Sequence, residues 1–352
     1  MGSLLTVTLA LLSTLALLAL VQLLCARADA RKFPPPGRLV DIPGGEMHVR
    51  QIGDGQPAVV LEAGIAASSL NWSLLQPRLA EFTTAYSYDR AGFGWSMSRS
   101  CECSLAKMSD DLHQLLEALE VPQPYVLVAH SFGAYIATVY AQHFPGDLAG
   151  IVLLDPLTPQ EWVKPDGEQR GRLRRAVWFS RAGGALASVG LVRVCLWLLQ
   201  RGNRETPRGV LRMFGALATE TVERILSELA KLPPDVVRVI RARWSTPKFF
   251  WTMAAYIRSL PACAAELEGC AIPAEVPVTV LSGAHQPPIR LEEHGAIAAR
   301  SRRGHHLIAP KGAHWVQLDH PDLVASAVRG MVEKYHLQSK AEPNLNEEGR
   351  RA

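Results

Sequence analysis

No block of lysine and arginine interleaved with aromatic residues occurs in the 352-residue chain, whose formal net charge is only +4, so nothing in it is built to hold nucleic acid. There is no H-E-x-x-H, and Cys101 and Cys103 are separated only by Glu102, too tight for the usual zinc spacing; a resident metal is therefore not expected. No glycine-rich nucleotide loop is present, which leaves no cofactor in view. Internal repeats and long low-complexity tracts are missing as well, so disorder is expected only at the ends. With Cys25 inside an apolar run, the six cysteines leave an odd five for the rest of the chain and do not fix the redox compartment. Cys263 and Cys270 are expected as buried thiols, with a bridge between them only if the domain is exported. What remains is 48% hydrophobic and 20% charged, enough to bury a large core and suited to one sizeable α/β domain with an insertion.

Charge is also missing from Leu4 to Ala26, a run of mostly Leu, Ala and Val about as long as a helix needs to cross roughly 30 Å of hydrocarbon. A cleaved secretory signal is the rival reading, because Ala28-Asp29-Ala30 has the small-x-small form of a cleavage site. Against it, no Lys or Arg precedes the run, and the run is long for a signal. Residues 1–32 are thus expected to form an uncleaved single-pass membrane anchor with its flank, with secretion after signal cleavage as the alternative. Arg27, Arg31 and Lys32 follow the run, a small charge bias that would hold the following domain on the cytoplasmic side. The opening Met-Gly-Ser-Leu-Leu-Thr fits a myristoylation pattern that is frequent by chance.

After Pro34 to Pro36 a regular alternation begins. Strand-like runs occur at Met47–Gln51, Ala58–Leu61, Thr84–Tyr88, Tyr125–Ala129, Ile151–Leu154, Val278–Ser282 and His305–Ala309. Helical patterns lie between several of them, as at Met108–Leu119 and Tyr135–His143. Apolar strands alternating with helices predict an α/β fold with a mostly parallel sheet covered on both faces. Between Pro156 and about Pro273 the strand signal stops, and helical stretches such as Val222–Leu232 and Val236–Trp244 fill the gap. The expected organisation is a core in two parts, residues 33–156 and 273–338, a helical cap at 157–272 and a polar tail at 339–352.

The run "YVLVAHSFGAYIATVYA" ends a buried strand on Ser131. A nucleophile held at a tight strand-to-helix turn needs small residues two positions away on either side, the form G-x-S-x-G; here the frame is Ala129-His130-Ser131-Phe132-Gly133. The plainer reading of Ser131 is a helix N-cap. With its neighbours in this order the chain resembles the α/β-hydrolase family, in its esterase-like branch with a helical cap, from about Gly45 to the helix near Tyr335 apart from the insertion. The stretches "VLEAG", "YSYDRAGFGWS" and "QLDHPDLV" add to the resemblance.

The resemblance implies a catalytic base after the last strand, and His314 in "LIAPKGAHWVQLDHPDLV" falls there, ahead of His305, His306 and His320. His130 is then a structural companion of the nucleophile. The family usually carries its acid after the seventh strand, but "VTVLSGAHQPP" has no carboxylate. Asp155 in "GIVLLDP", at the end of the sixth strand, is the replacement, with Glu292 and Glu293 as runners-up and a plain turn before Pro156 as its structural reading. The oxyanion donors implied are the N–H groups of Phe132 and of Ile65 in Glu62-Ala63-Gly64-Ile65, where most relatives have His-Gly. Asp89 and Arg90 would brace the loop beside the site.

A serine nucleophile supports acyl transfer, whereas epoxide or haloalkane hydrolysis in this fold needs an aspartate at the elbow. Together with the apolar N-terminal run, the resemblance therefore implies a membrane-associated serine hydrolase that cleaves a small-molecule, lipophilic carboxylic ester through a Ser-His-Asp triad and an acyl-enzyme. An amidase or aminopeptidase, which would need an acidic anchor for a substrate amine, and a catalytically silent relative that binds a ligand or partner are the alternatives. Asn71-Trp72-Ser73, formally a glycosylation acceptor, falls in a loop of the site and is read as coincidence. In the cap, ten arginines and one acidic residue, Glu205, lie between Arg170 and Arg212, around the apolar run Ala185–Leu199. That run suits a helix lying in lipid headgroups, its arginines toward anionic lipid and Leu196, Trp197 and Leu199 toward acyl chains; a buried cap helix is the plainer reading.

Overall fold

The computed structural model describes residues 2–97, 103–201, 205–212, 216–312 and 314–341; Cys101 and Glu102 lie outside them, as does most of the expected polar tail. Eight strands form one sheet: β1 Arg38–Ile42, β2 Gly45–Ile52, β3 Val59–Glu62, β4 Ala85–Tyr88, β5 Tyr125–His130, β6 Leu148–Leu154, β7 Val278–Ser282 and β8 Gly304–Ile308. Their order across the sheet is β1-β2-β4-β3-β5-β6-β7-β8. The pairs β1/β2 and β2/β4 are antiparallel, and from β4 onward every pair is parallel. The chain carries the α/β-fold architecture expected from its alternating pattern.

The described helices are α1 Gly2–Lys32, α2 Gln76–Leu79, α3 Leu105–Ala118, α4 Gly133–His143, α5 Gly167–Ser188, α6 Leu191–Gln200, α7 Glu205–Arg212, α8 Ala216–Leu229, α9 Pro234–Trp244, α10 Pro247–Glu266, α11 Pro288–Ala299, α12 Val316–Asp319 and α13 Pro321–Ala341, and among them α3 and α4 cover one face of the sheet and α13 the other. The period of two along each strand divides its apolar side chains between two cores. Val60, Leu127, Ala129, Ile151 and Leu153 pack with Leu112 and Leu116 of α3 and Tyr140 of α4. Val59, Leu61, Val126, Val128 and Val152 pack on the other face with Val324, Val328 and Val332 of α13. All six residues of β5 are buried, which explains its unbroken apolar run.

Parallel registry aligns the carboxyl ends of the strands that matter. Glu62 pairs with Ala129, and His130 with Leu154, so the residues that follow β3, β5 and β6 emerge along one edge. The order also reverses there, because β4 lies on one side of β3 and β5 on the other; the crevice outside such a switch point is the common ligand site of open α/β sheets. Helices α5 to α10, between β6 and β7 in sequence, stand over this edge. They touch the core through two apolar clusters, one joining Phe93, Phe132 and Tyr135 to Tyr256 and Leu260 of α10, the other joining Leu70 and Trp95 to Leu229 and Ile240.

Two local features depart from the sequence pattern. The edge strand β1 shows mostly exposed positions and so has no apolar run to betray it. The run Ala185–Leu199 is not one helix: Gly190, at φ +79°, ends α5 and starts α6, and the two meet at 93°. On α6, Leu196 and Leu199 turn inward and Arg193 turns to α1, while Trp197 alone of the three apolar residues expected to face lipid is exposed. Helix α1 is apolar and long enough to cross a membrane, with its hydrophobic side chains exposed.

Candidate active site

Ser131 occupies the tip of the turn between β5 and α4 at φ +54°. A non-glycine residue at that angle is strained and persists only where its surroundings hold it. Here they do: Ser131 N–H donates to Leu154 O at 3.0 Å, and Ser131 O accepts from Ala134 N–H at 3.0 Å and Leu157 N–H at 3.1 Å. The two flanking small residues answer to different needs. A Cβ on Gly133 would come within 2.8 Å of Glu62 O, so only glycine fits beneath β3. Ala129 lies inside β5 with its methyl in the core, where alanine costs nothing.

Asp155 follows β6 as Ser131 follows β5, and it too has a positive φ, +43°. Its N–H donates to Leu281 O at 2.7 Å. The buried carboxylate accepts from Gly283 N–H at 3.1 Å and from the Gln286 side-chain amide, and it meets Nδ1 of His314 at 2.6 Å. Of the three carboxylates singled out in the sequence, Asp155 is the one brought to His314. Glu293 instead accepts from Thr158 Oγ1 at 2.7 Å, and Glu292 is exposed on α11. Gln286 sits in the stretch where the resemblance would place the acid, and its amide bonds the Asp155 carboxylate. Its place in the sequence was the one available signal of that role.

With a carboxylate on Nδ1, the neutral His314 ring keeps its proton there and leaves the Nε2 lone pair free to accept. Among the described residues, Ser131 Oγ makes no hydrogen bond; contacts of this kind commonly tighten only when substrate is bound. His130 steadies the base from below: its Nε2 donates to His314 O at 2.9 Å, with ring centroids 4.8 Å apart. Burial drives the His130 pKa down to about 3, so this ring is a neutral strut. Its Nδ1 lies against Gly64, where an added Cβ would stand 3.0 Å away, so one imidazole touches both the base and the loop after β3.

That loop is gripped by Arg90. Its guanidinium is buried, donates to Gly64 O at 2.6 Å, to Ala63 O and to the Glu62 carboxylate, and lies over the rings of Phe132 and Tyr256 at 5.7 and 5.5 Å. Gly64 O and Ile65 N–H belong to one trans peptide plane and point opposite ways. By holding the carbonyl, Arg90 aims the Ile65 amide away from itself. The N–H groups of Ile65 and Phe132 find no acceptor among the described residues, and Phe132 also caps the N-terminus of α4, whose dipole favours negative charge. Burial raises the Glu62 carboxyl pKa, against the pull of Arg90 and the Tyr88 hydroxyl. Asp89 braces the next turn by accepting from Ser69 N–H at 2.7 Å and Trp95 N–H at 2.9 Å and meeting His48 Nδ1 at 3.0 Å.

Above the edge lies an apolar cavity of about 220 Å³ whose walls include Ile65, Leu186, Leu196, Leu226, Phe250 and Trp315. One carboxylate, Glu228, lines it, and Lys231 Nζ neutralises that group at 2.7 Å. Asn71 also reaches this wall; its side-chain oxygen accepts from Ser68 N–H at 3.0 Å, which ties up the asparagine of the formal glycosylation triplet. Cys263 is buried and Cys270 half-buried, and both are free thiols. Among the described residues no cluster of side chains has a metal-ligand arrangement.

Residues 57–180 match the sequence family described as having the alpha/beta hydrolase fold. The chain is 36% identical over 104 residues to the uncharacterized protein YqjL of Bacillus subtilis, covering 30% of this chain and 41% of that one. It is 30% identical over 183 residues to the abhydrolase domain-containing protein abhd-5.2 of Caenorhabditis elegans, covering 51% and 36% of the two. The matched part thus spans less than half the length of these relatives. Among solved structures, a proposed epoxide hydrolase of Pseudomonas aeruginosa superposes with a TM-score of 0.61 at 18% identity, covering 85% of this chain and 95% of that one. A thermophilic esterase of Thermogutta terrifontis superposes with a TM-score of 0.57 at 22% identity, covering 85% and 98%.

Proposed function

The chain is a protein of the α/β-hydrolase fold, and on that premise we propose that it is a membrane-anchored serine hydrolase that cleaves a lipophilic carboxylic ester. The observation that carries the reading is the His314–Asp155 contact at 2.6 Å beside a strained Ser131, with two unpartnered amides facing the same turn. In the reaction, Ser131 Oγ attacks the ester carbonyl while His314 Nε2 takes its proton, and Asp155 stabilises the imidazolium so formed. The negative charge that develops on the carbonyl oxygen is met by Ile65 and Phe132 N–H. Collapse expels the alcohol, which leaves with the proton from His314, and water repeats the sequence to release the acid from acyl-Ser131.

An epoxide substrate is disfavoured, because ring opening in this fold needs a carboxylate nucleophile and Ser131 supplies none. A substrate amine is disfavoured too: Glu228, the carboxylate on the cavity wall, already has Lys231 as its counter-ion. The apolar lining supports an acyl chain as the group received there. The test is labelling of the full chain with a fluorophosphonate, which reacts with an activated serine. We expect labelling and ester turnover in the native chain and neither in Ser131→Ala or His314→Ala; an unlabelled native chain would favour a silent binding protein.

A further inference from the structure

From Leu4 to Ala26 helix α1 carries no charge and, hydroxyl side chains aside, Gln22 as its one polar side chain; Gln22 is also the one deeply buried residue among the described residues of the helix, 4% exposed. Its amide donates to Ser245 O at 2.7 Å, and its oxygen accepts from Arg193 Nε of α6 at 2.8 Å. Arg193 Nη1 continues to the carboxylate of Asp29 at 2.5 Å. Two turns of α1 are therefore fastened to the cap by polar bonds in a place where an unpaired amide would be costly. Removal of α1 as a signal would strip Arg193 of both partners, and this chain's own bonding argues for a retained helix.

The fastening also fixes a depth. The uncharged run ends at Ala26, so the two bonds of Arg193 bracket that end, Gln22 about 6 Å inside it and Asp29 about 4.5 Å outside. An interfacial helix buries its apolar side by roughly 5–10 Å. Helix α6 has the two faces such a helix needs. Leu191, Val194 and Trp197 are 37%, 49% and 46% exposed along one stripe, with Arg201 stacked on Trp197 at 4.1 Å; Val192, Cys195, Leu196 and Leu199 form the other stripe and wall the cavity, which Leu191, at the seam between the two, also lines. On α5, exposed Trp178 is flanked at helical spacing by exposed Arg174, Arg175 and Arg181, a tryptophan among cations suited to anionic headgroups.

We propose that α1 docks the cap so that α6 lies in the acyl–headgroup boundary of the bilayer that α1 crosses, with the cavity directly behind it as a port for a bilayer-resident acyl chain. The proposal rests on the reading of the chain as a membrane-anchored serine hydrolase. Arg193 and Gln22 then act as a latch that sets the port against the membrane, and the exposed stripe of α6 is the surface that lipid covers.

The full chain reconstituted in anionic phosphatidylserine–phosphatidylcholine vesicles carrying a phospholipid with a diazirine in its acyl chain tests this directly. Photocross-links are expected on α1 and on Leu191–Trp197 in the native chain, and on α1 alone in Gln22→Leu, Arg193→Ala and Val194→Glu. In the same vesicles those variants should lose at least tenfold in turnover of a long-chain ester held in the bilayer while hydrolysing a soluble short-chain ester within twofold of the native chain. Absence of cross-links on α6 in the native chain, or equal turnover of the bilayer ester in all variants, would overturn the proposal. Lack of fluorophosphonate labelling would instead remove the serine hydrolase reading, and the cross-link map would still decide where α6 lies. Val194→Glu touches neither the latch nor the cavity, so loss of folding in a latch variant leaves the decision with it.

Discussion

At the carboxyl edge of the sheet the groups that hold the site in place are bonded, while Ser131 Oγ and the Ile65 and Phe132 N–H groups stay open: the Asp155 carboxylate has three partners, Arg90 has three, and His130 spans from His314 O to the underside of Gly64. In the cavity above it, the walls are almost wholly apolar and the one carboxylate is already paired. Directional bonds fix atoms to within tenths of an ångström, whereas apolar contacts fix only shape and volume. The edge is thus equipped to define a reaction, and the cap to define what enters. Polar substitutions should show in turnover at the first and changes of volume in selectivity at the second.

The sharpest test of that division is the acid. Asp155→Asn should lower kcat for a p-nitrophenyl ester by roughly 10⁴-fold, since the amide cannot stabilise the imidazolium and favours the wrong tautomer. Glu293→Gln should stay within a few-fold, because its bond goes to Thr158; reversal of the two results would move the acid to the α11 side. Next in size is Arg90→Met. Loss of the grip on Gly64 O should cost about 10²-fold in kcat with little change in KM, the signature of an oxyanion donor no longer aimed. It should also cost about 3–5 kcal/mol in denaturant unfolding, because Glu62 is left buried without its cation.

Much of the edge was legible before any coordinates, because elbows, strand ends and their sequels obey local rules. Ser131 was singled out from its neighbours, and His314, Asp155, Ile65 and Phe132 from the resemblance that those neighbours carry; the structure brings Asp155 to His314 at the edge. What could not be read is what depends on distant packing. Gln286 reaches its target across 131 residues. The cap was less legible still. Hydrophobicity alone reads Ala185–Leu199 as continuous, and only the left-handed Gly190 reveals the break that turns one side of α6 to the cavity. Likewise, nothing in an apolar N-terminal run marks Gln22 as a residue that bonds the cap.

Two smaller effects sharpen the comparison from the other side. Leu226→Trp should fill part of the cavity and shift the preferred acyl chain shorter, changing the ratio of kcat/KM between long and short esters by about 10-fold to 100-fold while kcat on acetate stays near normal. An unchanged chain-length profile would mean that the acyl group lies elsewhere. The last test is pH. Burial lowers the His130 pKa from 6.5 to about 3, and burial lowers that of His294 as well. Between those limits the unfolded chain binds protons that the native state refuses, so stability is full above pH 6.5 and falls as pH drops toward 3, by at most about 1.4 kcal/mol per pH unit for each histidine. Thermal unfolding between pH 7 and pH 4 should show that loss, with a shallower slope in His130→Gln.

His314 lies 159 residues after Asp155 and, like β8 before it, is among the last structured parts of the chain to be made. At ordinary synthesis speeds Asp155 is made roughly 8 to 30 seconds before His314, and Ser131 earlier still. On the proposed mechanism Ser131 is an ordinary alcohol through that interval, unable to attack a lipid or to be captured by an inhibitor. Chemical competence therefore arrives as a single late event in the life of each molecule, and a fluorophosphonate applied to arrested nascent chains would mark the moment at which the last strand docks.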